Sequence, residues 1–83
     1  MATFYIIYSA ALDRYYVGHT TQAMEERLRK HLSNHSAWTS RAKDWRVVYQ
    51  KQHADKSSAY RQELEVKGWK SRVRIEELLG AAR

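Results

Sequence analysis

Phe4-Tyr5-Ile6-Ile7-Tyr8-Ser9 and, after a short connector, Tyr15-Tyr16-Val17-Gly18-His19-Thr20 are the two segments on which the fold turns. Both are rich in β-branched and aromatic side chains, which favour extended backbone. The connector, Ala10 to Arg14, contains Asp13, a residue suited to turns. So short a link predicts an antiparallel hairpin. Gly18, close to the end of the second strand, signals a bulge or a close approach to the backbone.

Working outward from the hairpin, Met24, Leu28 and Leu32 recur every four residues and predict one apolar stripe of a helix. Thr21 is its candidate cap, and Glu25 and Glu26 suit its positive end. Arg27 and His31 are also four apart, so they share the neighbouring face. The stretch from His35 to Asp44 is polar and irregular. Trp45-Arg46-Val47-Val48-Tyr49-Gln50 predicts a third strand. A second helix is expected from about Ser58 to Trp69, capped by Asp55 or Ser57, with a break marked by Gly68 and Ser71. A last helix is expected from about Arg72 to Leu79, stopped by Gly80. The fold class is therefore α/β in the broad sense (α+β), a three-stranded, mainly antiparallel sheet flanked by helices. Eighty-three residues are expected to make one domain.

Composition narrows the function. There is no cysteine, so a disulfide or a thiolate zinc site is excluded. No apolar run is long enough for a transmembrane helix, and the N-terminal residues lack a signal-peptide pattern, so a cytoplasmic protein is expected. Fifteen Lys and Arg against nine Asp and Glu give a net charge of +6. Residues 1–24 hold only Asp13 and Arg14, so the basic surplus lies from Arg27 onward. A localised basic surface favours polyanions, nucleic acid first. Lys67, Trp69, Lys70, Arg72 and Arg74 form a basic segment with an aromatic that can track a nucleic-acid backbone. Trp69 as a core residue among solvated charges accounts for the same segment equally well.

Glu63 stands out. Ala59, Glu63 and Val66 fall at i, i+4 and i+7, with Trp69 continuing the row, which places a carboxylate on the inward face of the second long helix. Such a group requires an arginine, hydrogen bonds or a metal ion. The plain alternative is a Glu63–Arg27 ion pair with no chemistry. His31 and His35 have a spacing compatible with zinc, but no adjacent glutamate or third ligand accompanies them.

Phe4-Tyr5-Ile6-Ile7, Tyr16-Val17-Gly18, Arg27-Leu28-x-x-His31 and Ala59-x-x-x-Glu63-x-x-Val66-Lys67, in that order, resemble a GIY-YIG nuclease domain. The likeness runs from about Thr3 to about Leu79. It is greatest to the small standalone members, similar to the N-terminal domain of the UvrC excision nuclease. Thr3 stands where the first motif has glycine. Tyr5 matches that motif's tyrosine because it lies eleven positions before Tyr16, whereas Tyr8 lies only eight before. The resemblance implies a metal-dependent endonuclease acting on DNA (RNA remaining open), structure-selective or weakly specific, in repair or recombination. It implies that Tyr5, Tyr16, Arg27, His31 and Glu63 are catalytic, with Glu63 holding one Mg²⁺ or Mn²⁺. His19, Arg27, His35, Lys67, Lys70 and Arg72 become the candidate nucleic-acid contacts. A protein partner or a homodimer is the expected source of specificity beyond DNA shape. The other reading is a basic module that binds nucleic acid without cutting it.

Overall fold

The computed structural model describes residues 1–32 and 41–81. Its elements run β1 (Ala2–Ser9), β2 (Arg14–Thr20), α1 (Met24–Leu32), β3 (Arg46–His53), α2 (Lys56–Trp69) and α3 (Arg72–Ala81). The three strands form one antiparallel sheet in the order β2-β1-β3. The expected fold class is therefore observed. β1 is central because its residues from Ala2 to Ile7 are all buried, apolar on nearly every position and covered on both faces. β2, whose ends are more polar, forms an edge.

Alternation along β1 divides the core. Phe4 and Ile6, with Val17 of β2 and Val66 of α2, form one layer, covered further by Trp69, Ile75, Leu78 and Leu79. Tyr5 and Ile7, with Trp45 and Ala42, form the other, covered by Met24, Leu28 and Leu32 of α1. α2 and α3 thus take one face of the sheet and α1 the opposite face. The apolar stripe of α1 sits where its spacing placed it. Glu25 and Glu26 lie in its first turn and Arg29 and Lys30 in its last, both in keeping with the helix dipole. A register shift between Ile6 and Ile7 opposite Tyr49 and Val47 inserts Val48 as an extra residue. Val48 and Tyr49 consequently pack on the same core layer.

Several boundaries differ from expectation. β1 begins at Ala2 and β3 continues to His53 because these two residues pair with each other. α1 starts at Met24, past the candidate cap Thr21. The hydroxyl of the buried Thr20 instead accepts from the Gln22 amide at 3.0 Å and closes the strand with a turn of its own. Asp55, one of the two candidate caps, accepts from the Ser58 amide at 2.8 Å and starts α2. Gly68 does not break that helix. Trp69 anchors one more residue against the core, and Lys70 takes the left-handed cap at φ 49. Likewise α3 runs through Gly80 to Ala81. Among the described residues no helix is long and apolar enough to cross a membrane.

Candidate active site

Gly18 is the floor of the site. It pairs with Tyr5 across the β1–β2 ladder. Cross-strand partners present their side chains on the same face, so Tyr5 needs its neighbour to have none. A Cβ on Gly18 would lie 2.6 Å from the Tyr5 hydroxyl and 2.7 Å from its Cζ. The phenol therefore lies flat across Gly18, and its hydroxyl is carried to the edge of the sheet. The close approach expected at this glycine is real, and what approaches is a side chain.

α1 supplies the groups that meet this hydroxyl. Arg27 Nε donates to it at 3.1 Å, and His31 Nε2 lies 2.8 Å away. Tyr16, two residues before Gly18 and on the same face, brings its ring centroid to 4.9 Å from that of His31. Tyr5 and His31 are fully buried. Burial, with smaller contributions from Tyr16 and Glu63, pushes the Tyr5 phenol up to about 12, although the Arg27 hydrogen bond and charge oppose the shift. Burial, with the Arg27 charge, pushes His31 down to about 4. At neutral pH both rings are uncharged. Arg27 already donates to the phenol oxygen, so the arrangement satisfying all three groups has Tyr5 donating to Nε2 and His31 protonated on Nδ1.

Glu63 arrives from the other face, on α2. Its side chain is only 12% exposed, as its place beside the buried Ala59 and Val66 required. Its compensation is not Arg27. His19 Nδ1 donates to Oε1 at 2.8 Å, and Lys67 Nζ donates to Oε2 at 3.1 Å. The Lys67 ammonium also lies 5.8 Å from the Tyr16 ring centroid, joining the α2 side of the site to the α1 side. Because β2 is an edge strand, groups from opposite faces of the sheet meet around it. Tyr5, Tyr16, Arg27, His31 and Glu63 thus belong to one contact network, extended by His19 and Lys67. A family model described as the GIY-YIG catalytic domain matches residues 1–76. The chain belongs to the GIY-YIG family. Comparison with curated proteins and with solved structures gives no match.

The GIY-YIG match takes in all five of these residues and reaches into α3. It makes the chain a nuclease-type domain whose substrate is DNA. The remaining candidates are distributed unevenly. Lys70 sits at the elbow between α2 and α3, lining with Tyr16 and Lys67 a cleft of about 370 Å³. Arg72 lies at the opposite end of β2, with its guanidinium 2.7 Å from Asp13, 3.1 Å from the Asp13 carbonyl and 3.5 Å from Glu76. Trp69 is partly buried and packs against the core, and the Arg74 guanidinium lies 4.5 Å from its ring centroid. His35 lies outside the described residues.

Sequence reasoning did not foresee the His19–Glu63 hydrogen bond. The signal for it was the alternation of β2. Val17 faces α2, and His19, two residues on, must face the same way. The Lys67–Glu63 pair was legible as an i, i+4 spacing.

Proposed function

We propose that this GIY-YIG domain is a metal-dependent endonuclease that cuts DNA strands, selecting them by structure or only weakly by sequence. The convergence of Tyr5, Tyr16, Arg27 and His31 with Glu63 around the β2 edge at Gly18 carries this reading. Such a set is more than a binding surface needs.

Hydrolysis forms a P–O bond from water and breaks the P–O bond to the leaving oxygen. The water loses a proton and the leaving oxygen gains one. Most of the required help is electrostatic. In this reading Arg27 grips the phosphate, for which a planar guanidinium is well suited. Its exchange of the Tyr5 oxygen for a phosphate opens a phenol that is otherwise sealed. Tyr5 and Tyr16 orient the attacking water, and a proton passing through Tyr5 is received at Nε2 of neutral His31. Glu63 is the residue that would hold a Mg²⁺ or Mn²⁺. Its carboxylate fits a hard cation, since each oxygen keeps a lone pair beyond its bond to His19 or Lys67. Among the described residues there is no cluster of three or more acidic, histidine or cysteine ligands. An ion at Glu63 would be bound through one carboxylate and completed by water and substrate. When bound, the cation supplies positive charge that neutralises the phosphate and offsets the Glu63 charge felt by Tyr5. Repair or recombination is the process this activity serves best, with DNA shape, a protein partner or a homodimer setting specificity.

A non-cutting, basic nucleic-acid-binding module is the second reading. The sealed Tyr5, which keeps its proton to about pH 12, favours it. A plasmid-nicking assay separates the two. Nicking should require Mg²⁺ or Mn²⁺, stop with chelator, and fall by about 100-fold or more in Glu63→Gln and in Tyr5→Phe. Equal nicking by wild type and both folded variants would refute the catalytic reading. DNA retention that weakens with salt, without nicking, would favour the second.

A further inference from the structure

Beside Glu63, on the side away from Lys67, the surface holds an aromatic that the core does not explain. Tyr60 precedes Glu63 by one helical turn on α2 and is 46% exposed. The inward row of the helix is Ala59, Glu63 and Val66, so Tyr60 adds little to the core. Its ring stands 5.3 Å from the His19 ring, the same histidine that bonds Glu63 at 2.8 Å. Tyr60 and His19, with Lys56 and Ser57, line a cleft of about 400 Å³. That volume lies within the range of small-ligand sites, about 300–1,000 Å³. Among the described residues Lys56 makes no ion pair, so its charge is available to an anion. The cleft therefore combines an aromatic face, a positive charge and an imidazole, one residue away from Glu63.

We propose that Tyr60, Lys56 and His19 form a subsite for a nucleotide of unpaired DNA next to the scissile phosphate. The base stacks on the exposed Tyr60 ring, Lys56 engages the neighbouring phosphate, and His19 ties the subsite to Glu63. Bases within a duplex already have both faces stacked, so they offer none to Tyr60. The subsite selects a strand whose base is free, as in a flap, gap or frayed end. Aromatic faces with adjacent cations bind single strands in this manner, with little dependence on sequence. This inference rests on the endonuclease reading and names the substrate structure that reading left open.

The test measures equilibrium binding in chelator, so no cleavage enters it. The probes are a short oligothymidylate and a relaxed, covalently closed circular duplex, which has no ends to fray. Tyr60→Ala should weaken oligothymidylate binding by roughly tenfold or more, the worth of one base–aromatic stack. Tyr60→Phe should keep wild-type affinity, and neither change should alter duplex binding. Lys56→Gln should make the salt slope on the oligothymidylate shallower by about 0.7, as for one lost phosphate contact. Unchanged oligothymidylate affinity in Tyr60→Ala would overturn the proposal, as would equal losses on both probes. A loss in Tyr60→Phe as large as in Tyr60→Ala would also overturn it, because the hydroxyl and not the ring would then be the contact. Nicking is scored separately, so an inactive domain can pass this test and an active one can fail it.

Discussion

The β1–β2 hairpin carries two clusters built from nearly the same residues. At its turn, Tyr8 and Tyr15 face each other across the strands with Arg72, Asp13 and Glu76 around them. At its other end, Tyr5 and Tyr16 stand with Arg27, Glu63 and His31. The turn cluster is a staple. Its arginine is shared between two carboxylates, its acids are exposed, and the Tyr8 hydroxyl donates to Asp13 at 2.6 Å. Hydrogen bonds from Arg72 and Tyr8 hold Asp13 down to about 2, leaving it ionised at any ordinary pH. In the second cluster the arginine is given no carboxylate. Among the described residues Arg27 makes no ion pair, and its hydrogen bond goes to a phenol. The phenol and imidazole are buried and displaced in opposite directions, to about 12 and about 4. One inventory thus yields an exposed, charge-paired clasp or a buried cluster with an unpaired guanidinium. Burial and the matching of charges make the difference.

That contrast can be broken most forcefully at Gly18. Gly18→Ala puts a methyl where the Tyr5 ring lies, so the ring must move. The expected cost is about 1–3 kcal/mol in denaturant unfolding, the range for overpacking, together with loss of nicking. A Gly18→Ala chain of wild-type stability and activity would mean that Tyr5 does not lie across the glycine. No comparable effect is expected of any substitution at the turn.

The next effect is one of pH. His31 titrates near 4 when folded and near its ordinary 6.5 when unfolded. Between those values the unfolded chain binds the extra proton, so stability should fall as pH drops through that window and level off below it. His31→Gln keeps a polar partner for Tyr5 but cannot titrate, so its stability curve should be flatter between pH 6.5 and 4. Parallel curves for the two proteins would show that His31 is not held neutral by the fold.

The smallest effect is expected from Asp13→Asn. Asn tolerates the left-handed backbone at this position, where φ is 52. An exposed ion pair is screened and contributes little. The unfolding midpoint should scarcely move, the little that moves should vanish at high salt, and nicking should be unchanged. A large loss of nicking in Asp13→Asn would erase the distinction between the two clusters.

Much of this is legible in the sequence. The aromatic and β-branched run of β1, the Met24–Leu28–Leu32 stripe and the inward place of Glu63 are local patterns, and local patterns survive folding. Helix ends were less legible. A glycine within α2 does not stop a helix whose next residue, Trp69, packs against the core, and α1 waits for the turn made by Thr20. Arg72 was the instructive case. Its proximity in sequence to Lys67 and Lys70 placed it on one basic track with them. Lys70 turns the chain at its left-handed cap, and Arg72 pairs with Asp13 while lining one cleft with Lys70.

The sequence by itself determined the strands and the helices, because periodicity and side-chain type are written along the chain, and its resemblance to the GIY-YIG family named the candidates for phosphodiester chemistry. Which of them meet was a tertiary decision. Glu63 approaches from one face of the sheet, Arg27 and His31 from the other, and no spacing shows that an edge strand with a missing side chain lets them join. Desolvation at that junction then shifts Tyr5 and His31, and burial is a property of the packed molecule alone.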